Sequence, residues 1–197
     1  MGDSAKWVFS ILAIALTFIG FVPYMVSIVR GKTRPHVFSW VIWGITTSII
    51  FFAQLEADGG IGAWPIGVSG GITIIVALLA YLNRGDNSIT RADWLFLLTA
   101  LASLPLWYVT QDPTTAVVIL TTVDMIGFGP TFRKAYYFPR EENAVFFSMF
   151  AVRNFFALLA LESYSLATML FPLAVSVACT SLLILLLVRR QQLSLSQ

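Results

Sequence analysis

The sequence predicts an all-α integral membrane protein of seven transmembrane helices, and three observations carry that prediction. Of the 197 residues, 58% are hydrophobic and only 11% charged, whereas a soluble domain is about 45–50% apolar even with glycine counted and about 25% charged. Charges recur at intervals that leave apolar stretches of membrane-crossing length, about 20 residues each. Basic residues gather on alternate connections between those stretches. Seven such spans leave residues only for short loops, so no appended soluble domain is expected.

The spans follow from the charge-free gaps. The gap between Lys6 and Arg30 predicts a first helix over 7–29, that between Arg34 and Glu56 a second over 36–55, and that between Asp58 and Arg84 a third over 61–82. The stretch from Asp93 to Asp112 gives a fourth at 93–110, and Glu162 to Arg189 a last one at 166–188. Two further spans, 114–133 and 143–161, each carry one charge near the middle, Asp124 and Arg153. The first stretch is too long for a signal-peptide core and lacks a small-residue cleavage site, so it is expected to be retained.

Charge sign sets the expected topology. Arg30, Lys32 and Arg34, then Arg84 and Arg91, then Arg133, Lys134 and Arg140, then Arg189 and Arg190 follow the first, third, fifth and seventh helices. On the other side the spans leave only Lys6. Positive charge marks the cytoplasmic side, so the amino terminus is expected outside and the carboxyl terminus in the cytoplasm, in the plasma (inner) membrane.

An internal repeat underlies the layout. A shift of 107 residues sets Ile19-Gly20-Phe21-Val22-Pro23 on Ile126-Gly127-Phe128-Gly129-Pro130, and Trp64-Pro65-Ile66-Gly67-Val68-Ser69 on Phe171-Pro172-Leu173-Ala174-Val175-Ser176. The helix-breaking identities, Pro23/Pro130 and Pro65/Pro172, carry the match. Helices one to three then correspond to helices five to seven, which divides the chain into residues 1–90, a linker helix within 91–112, and residues 113–197. Four helices separate the copies, so they run parallel, as in transporters whose repeats are related by an axis along the membrane normal.

With a Gly-x-x-Pro element in the first helix of each half, this 3+1+3 order resembles the PQ-loop/SWEET superfamily. The family's Pro-Gln pair reads Pro23-Tyr24 in one half and Pro130-Thr131 in the other, so both glutamines are replaced. The resemblance implies two parallel three-helix bundles around a central path, alternating access to a midplane site, and hinge roles for Pro23 and Pro130. Substrate does not follow from it, because one fold hosts many cargoes.

The two mid-span charges are the candidate chemistry. A charge at bilayer depth costs about 2.5–3.5 kcal/mol on insertion scales and usually faces a partner or a water-filled cavity. Equal depth on consecutive helices makes Asp124 and Arg153 expected partners, either as a structural ion pair or as part of a solute path. Asn154, Thr46 and Thr47 lie at the same level, Thr46 matching Arg153 and Thr47 matching Asn154 in the repeat. Gly127, Gly129 and Pro130 follow Asp124 and are expected to free backbone carbonyls, tolerated where backbone faces a cavity or protein. Arg153 suits a carboxylate or phosphate; Asp124 suits a cationic amine, or a proton-coupling role. Trp40 and Trp43 sit one and two turns into the second helix, with Phe147 and Phe150 as their repeat mates; Trp43 is the better candidate to face a solute. Ser69, Thr73, Ser176 and Thr180 are candidates for helix packing or for the path, and Trp7, Trp64, Trp107, Trp94, Tyr136 and Tyr137 for interfacial belts.

Several classes are excluded. One cysteine leaves no intramolecular disulfide, and one histidine, His36, leaves no multi-histidine metal centre; no cofactor, metal site or catalytic residue is expected. Gly67-Val68-Ser69-Gly70 imitates a rhomboid protease motif, but Ser69 and His36 are separated along the membrane by on the order of 15–20 Å, too far for a nucleophile and its base. A microbial rhodopsin needs a lysine in the last helix, and 166–188 has none. Nucleotide-binding glycine loops are absent, and no nucleic-acid partner is expected. The expectation is a carrier of a small polar organic solute, sugar-like, zwitterionic or anionic, in contact with the lipid bilayer. The alternative is a receptor on the same scaffold that binds a ligand or peptide terminus without moving it.

Overall fold

In a computed structural model, residues 2–32, 35–83, 89–137, 139–140 and 144–195 are described, the side chains of 130, 133, 134 and 195 excepted. Arg34 and Arg84, and the side chains of Arg133 and Lys134, therefore lie outside the described residues. Within them the chain forms α1 (Asp3–Val29), α2 (Val37–Glu56), a short 3-10 helix (Gly60–Ala63), α3 (Trp64–Leu82), α4 (Arg91–Thr110), α5 (Pro113–Tyr137), α6 (Ala144–Ala160) and α7 (Leu166–Leu195), with no strand.

Local chemistry sets the ends of these helices. The His36 ring caps α2 by accepting from the Ser39 amide at 3.3 Å. Thr90 and Asp93 form a reciprocal capping box at the start of α4, which satisfies amides that have no partner within the helix. The Asp112 carboxylate accepts from the Thr114 amide at 2.9 Å ahead of α5. Residues 166–188 continue as helix to Leu195, because the polar segment after Val188 offers no breaker.

Five helical stretches are long and apolar enough to cross a membrane: α1, α2, the 3-10 helix with α3, α4, and α7. Helix α6 has 17 residues, just under that length, ending where Leu161 turns back on Leu158, and α5 runs for 25 residues from Pro113 to Tyr137. Leu95, Leu98, Leu101, Leu104 and Tyr108 of α4 are exposed, as are Ile11 and Ile19 of α1 and Ile184 and Leu187 of α7. So continuous an apolar exterior suits an integral membrane protein, whose outer solvent is lipid.

Helix α3 packs on both α1 and α2, and α7 on both α5 and α6. Across the molecule α1 meets α6 and α2 meets α5, while α4 lies against α5 and α2. Small residues bring the helices close: a Cβ on Gly20 of α1 would stand 2.9 Å from the Phe150 ring of α6, and one on Gly44 of α2 would stand 2.8 Å from Ile74 of α3. The larger core joins Ile50 and Ala53 of α2 and Ile66 of α3 to Val117 and Leu120 of α5, Phe147 and Ala151 of α6, and Leu182 and Leu186 of α7. A smaller one joins Phe21 and Ile28 of α1 to Ile72 and Val76 of α3.

Candidate functional site

Between these helices lies a cavity of about 640 Å³, within the range of small-molecule sites. At one end its wall includes Pro35, His36 and Ser39 at the start of α2, Tyr24 late in α1, Thr131 late in α5 and Phe146 early in α6. It extends inward to Asp124, Arg153, Ser69 and Phe171, near the middle of the bundle. Residues from the opposite helix ends take no part in the wall.

That opposite end is occupied by a clasp. The Glu162 amide donates to the Gly59 carbonyl at 3.2 Å, and the Ile61 amide donates to Glu162 Oε1 at 3.0 Å. Ser10 of α1 donates to the Ile61 carbonyl at 2.9 Å. Below them Gln54 Nε2 donates to the Thr168 carbonyl at 2.7 Å. The approach depends on glycine: a Cβ on Gly62 would lie 2.5 Å from the Leu161 nitrogen, and one on Gly60 would lie 2.1 Å from the Glu162 carboxyl carbon. Gly60 also takes φ +58, a backbone conformation that favours glycine. The loop between α2 and α3 is thereby held to the loop between α6 and α7.

Arg153 sits at the deep end of the cavity, 2% exposed. Its Nε donates to Thr17 Oγ1 of α1 at 3.1 Å, its Nη1 to Asn154 Oδ1 at 2.8 Å, and its Nη2 to the Pro65 carbonyl of α3. The expected partnership with Asp124 is not what the structure holds. Helices α5 and α6 are consecutive and carry their charges at equal depth, but α7 packs between them, so equal depth does not bring contact. Asp124 Oδ1 is buried without a hydrogen-bond partner among the described residues. The hydroxyl of Thr121, one turn earlier, does not supply one, being unpartnered itself.

The other sequence-singled residues divide between the wall and the layer behind it. Trp43 and Thr47 line the cavity with Asp124 and Arg153. Thr46 is fully buried behind the wall, its hydroxyl donating to the Trp43 carbonyl at 3.1 Å. Asn154 is likewise buried, accepting from Arg153 and donating to the Phe150 carbonyl at 2.8 Å. Of the four hydroxyl residues singled out on α3 and α7, Ser69 and Thr73 reach the wall, while Ser176 donates to the Ala151 carbonyl across the α6–α7 contact and Thr180 to the Ser176 carbonyl of its own helix. Pro23 lies inside α1, and Pro130 inside α5, which runs as helix through Gly127–Pro130 rather than opening there. No Cβ-distance contact closes on Gly127, which faces the cavity.

Trp40, Trp43, Phe147 and Phe150, matched in the repeat, all line the cavity, and Phe21, Tyr24, Phe128, Phe146 and Phe171 join them there without having been singled out for it. Trp40 stands edge-on to Trp43, their ring centroids 5.3 Å apart, and close to Tyr24 at 5.2 Å. Phe21 contacts Phe150 edge-on at 5.5 Å, and Phe146 stacks on Phe150 at 4.4 Å. Phe128, Phe147 and Phe171 complete the set. The repeat does contain a signal for Thr17, whose position corresponds to Asp124 under the 107-residue shift. No protein-family model matches the chain, and neither a curated protein nor a solved structure does.

Proposed function

We propose that the protein is a seven-helix carrier of the PQ-loop/SWEET type, moving a small organic solute across the membrane by alternating access. One observation carries this reading: a cavity of solute size reaches mid-bundle from one end and is blocked at the other by a hydrogen-bonded clasp. A carrier requires such a one-sided path, together with a seal that can be released.

The packing order supports the same reading. Helix α3 packs on both α1 and α2, and α7 on both α5 and α6, which supports a reading of two three-helix bundles with α4 as linker. The contacts α1–α6 and α2–α5 exchange under the internal repeat, as a two-fold axis along the membrane normal requires. Rocking of one bundle against the other about Pro23 and Pro130 would close the open end and separate the two clasp loops. With positive charge inside, the cavity faces the cytoplasm and the clasp faces outward.

Counterflow of labelled solute in proteoliposomes tests the proposal. Exchange of external label for internal unlabelled solute is the expected result. Saturable binding without exchange would instead assign the scaffold to a receptor.

A further inference from the structure

We infer that the cavity selects organic monocations, protonated amines or quaternary ammonium groups on an apolar body, with the cationic head at Asp124. The inference rests on the carrier reading only for what happens after binding.

The two ionic groups of the cavity differ in what they have left to offer. Arg153 is buried and donates from all three of its nitrogens to protein acceptors on α1, α3 and α6, so its charge is already solvated by the fold. Asp124 keeps a buried oxygen without a donor, while the rest of the residue is partly exposed on the cavity wall. A carboxylate without a protein donor is costly, and an ammonium group lying against the partly exposed side of Asp124 on the cavity wall is its charge complement. The wall around it points the same way. Trp40, Trp43 and Tyr24 from the first half face Phe128, Phe147 and Phe150 from the second. Aromatic faces attract cations and accept apolar carbon. A carboxylate ligand would find a guanidinium three of whose five N–H groups are already given to Thr17, Asn154 and Pro65.

Four probes on one skeleton separate the possibilities: phenethylamine, phenylalanine, phenylacetate and 2-phenylethanol, titrated against the purified full chain by thermal shift and calorimetry. The expected result is that the amine binds at least about tenfold more tightly than the alcohol, and that Asp124→Asn removes this preference while leaving the alcohol unchanged. Trp43→Leu, at a partly exposed ring, should weaken the amine several-fold and provides a second variant should Asp124→Asn not fold. Equal binding of amine and alcohol, tighter binding of phenylacetate or phenylalanine, or no binding of the amine overturns the inference. Counterflow with the amine keeps the two proposals distinguishable. Amine binding without exchange would sink the carrier alone, and exchange of a non-cationic solute would sink cation selection alone.

Discussion

Two crossings in this molecule correspond under the internal repeat but are built differently. At one, Arg153 of α6 meets Thr17 of α1; at the other, the equivalent positions are Thr46 of α2 and Asp124 of α5. In the first, each of the three guanidinium nitrogens donates a hydrogen bond, to α1, to α3 and to its own helix. In the second, Thr46 turns its hydroxyl onto the Trp43 carbonyl and Asp124 keeps an unfilled oxygen. The difference follows from donor count. A guanidinium carries five N–H groups, and a helix bundle offers it both side-chain oxygens such as those of Thr17 and Asn154 and backbone carbonyls such as that of Pro65. A carboxylate only accepts, and helix interiors offer no spare amides. One crossing is therefore tied together by hydrogen bonds, and the other carries a carboxylate that the protein does not pair.

The comparison breaks most sharply on Arg153. Replacing it by Ala should destabilise the protein by about 3–5 kcal/mol, from lost charge-assisted hydrogen bonds and a cavity at a packed helix crossing. A fall in melting temperature in detergent larger than for any other single cavity-wall substitution would show it. Asp124→Asn should instead leave stability within about 1 kcal/mol of the parent, since no hydrogen bond to the protein is removed. Loss of stability comparable to Arg153→Ala would mean that the two crossings are alike after all.

The clasp gives the next effect. Gly62→Ala forces a Cβ against the Leu161 backbone and should cost about 1–3 kcal/mol, concentrated on the closed end of the cavity. With Cys179 replaced by Ala and Trp43 by Cys, a membrane-impermeant thiol reagent should label the protein only from the Pro35–His36 side. Adding Gly62→Ala should bring labelling from the clasp side. Unchanged one-sided labelling would show that the clasp does not control access.

The smallest effect lies at the start of α5. The Thr114 side chain and amide hold the Asp112 carboxyl below its ordinary range. The stabilisation is present above the carboxyl's unfolded pKa and disappears as pH falls through the lower folded value. Asp112→Asn should thus change stability only slightly at neutral pH, and its difference from the parent should vanish in acid. A difference that grows on acidification would contradict the hydrogen-bonding seen there.

Composition and charge spacing were enough to read the helices, because the bilayer forces each span to be long, apolar and bounded by charge. The limits of α1 to α4 fall within a few residues of those read from the gaps between Lys6, Arg30, Glu56, Asp58, Arg84 and Asp112. The repeat also marked Thr46, Thr47, Asp124 and Arg153 as belonging to one level. Which of them meet was not legible. Depth is a one-dimensional quantity, read along each helix, whereas partnership depends on the lateral order of helices. That order places α7 between α5 and α6 and sets Arg153 against Thr17, 136 residues away. The rest of the aromatic wall beyond Trp40, Trp43, Phe147 and Phe150 was hidden for the same reason: in a chain with 16 phenylalanines, hydrophobicity does not separate rings that face lipid from rings that face a cavity.

By itself, then, the sequence determined that the chain is helical, that its solvent is lipid, and that two charges lie where charge is expensive. The tertiary structure alone decided that one of those charges is satisfied by the fold and the other is left open to a cavity. The physical reason is that burial and solvation are properties of neighbours, and the neighbours of a transmembrane residue come from helices far away in the chain.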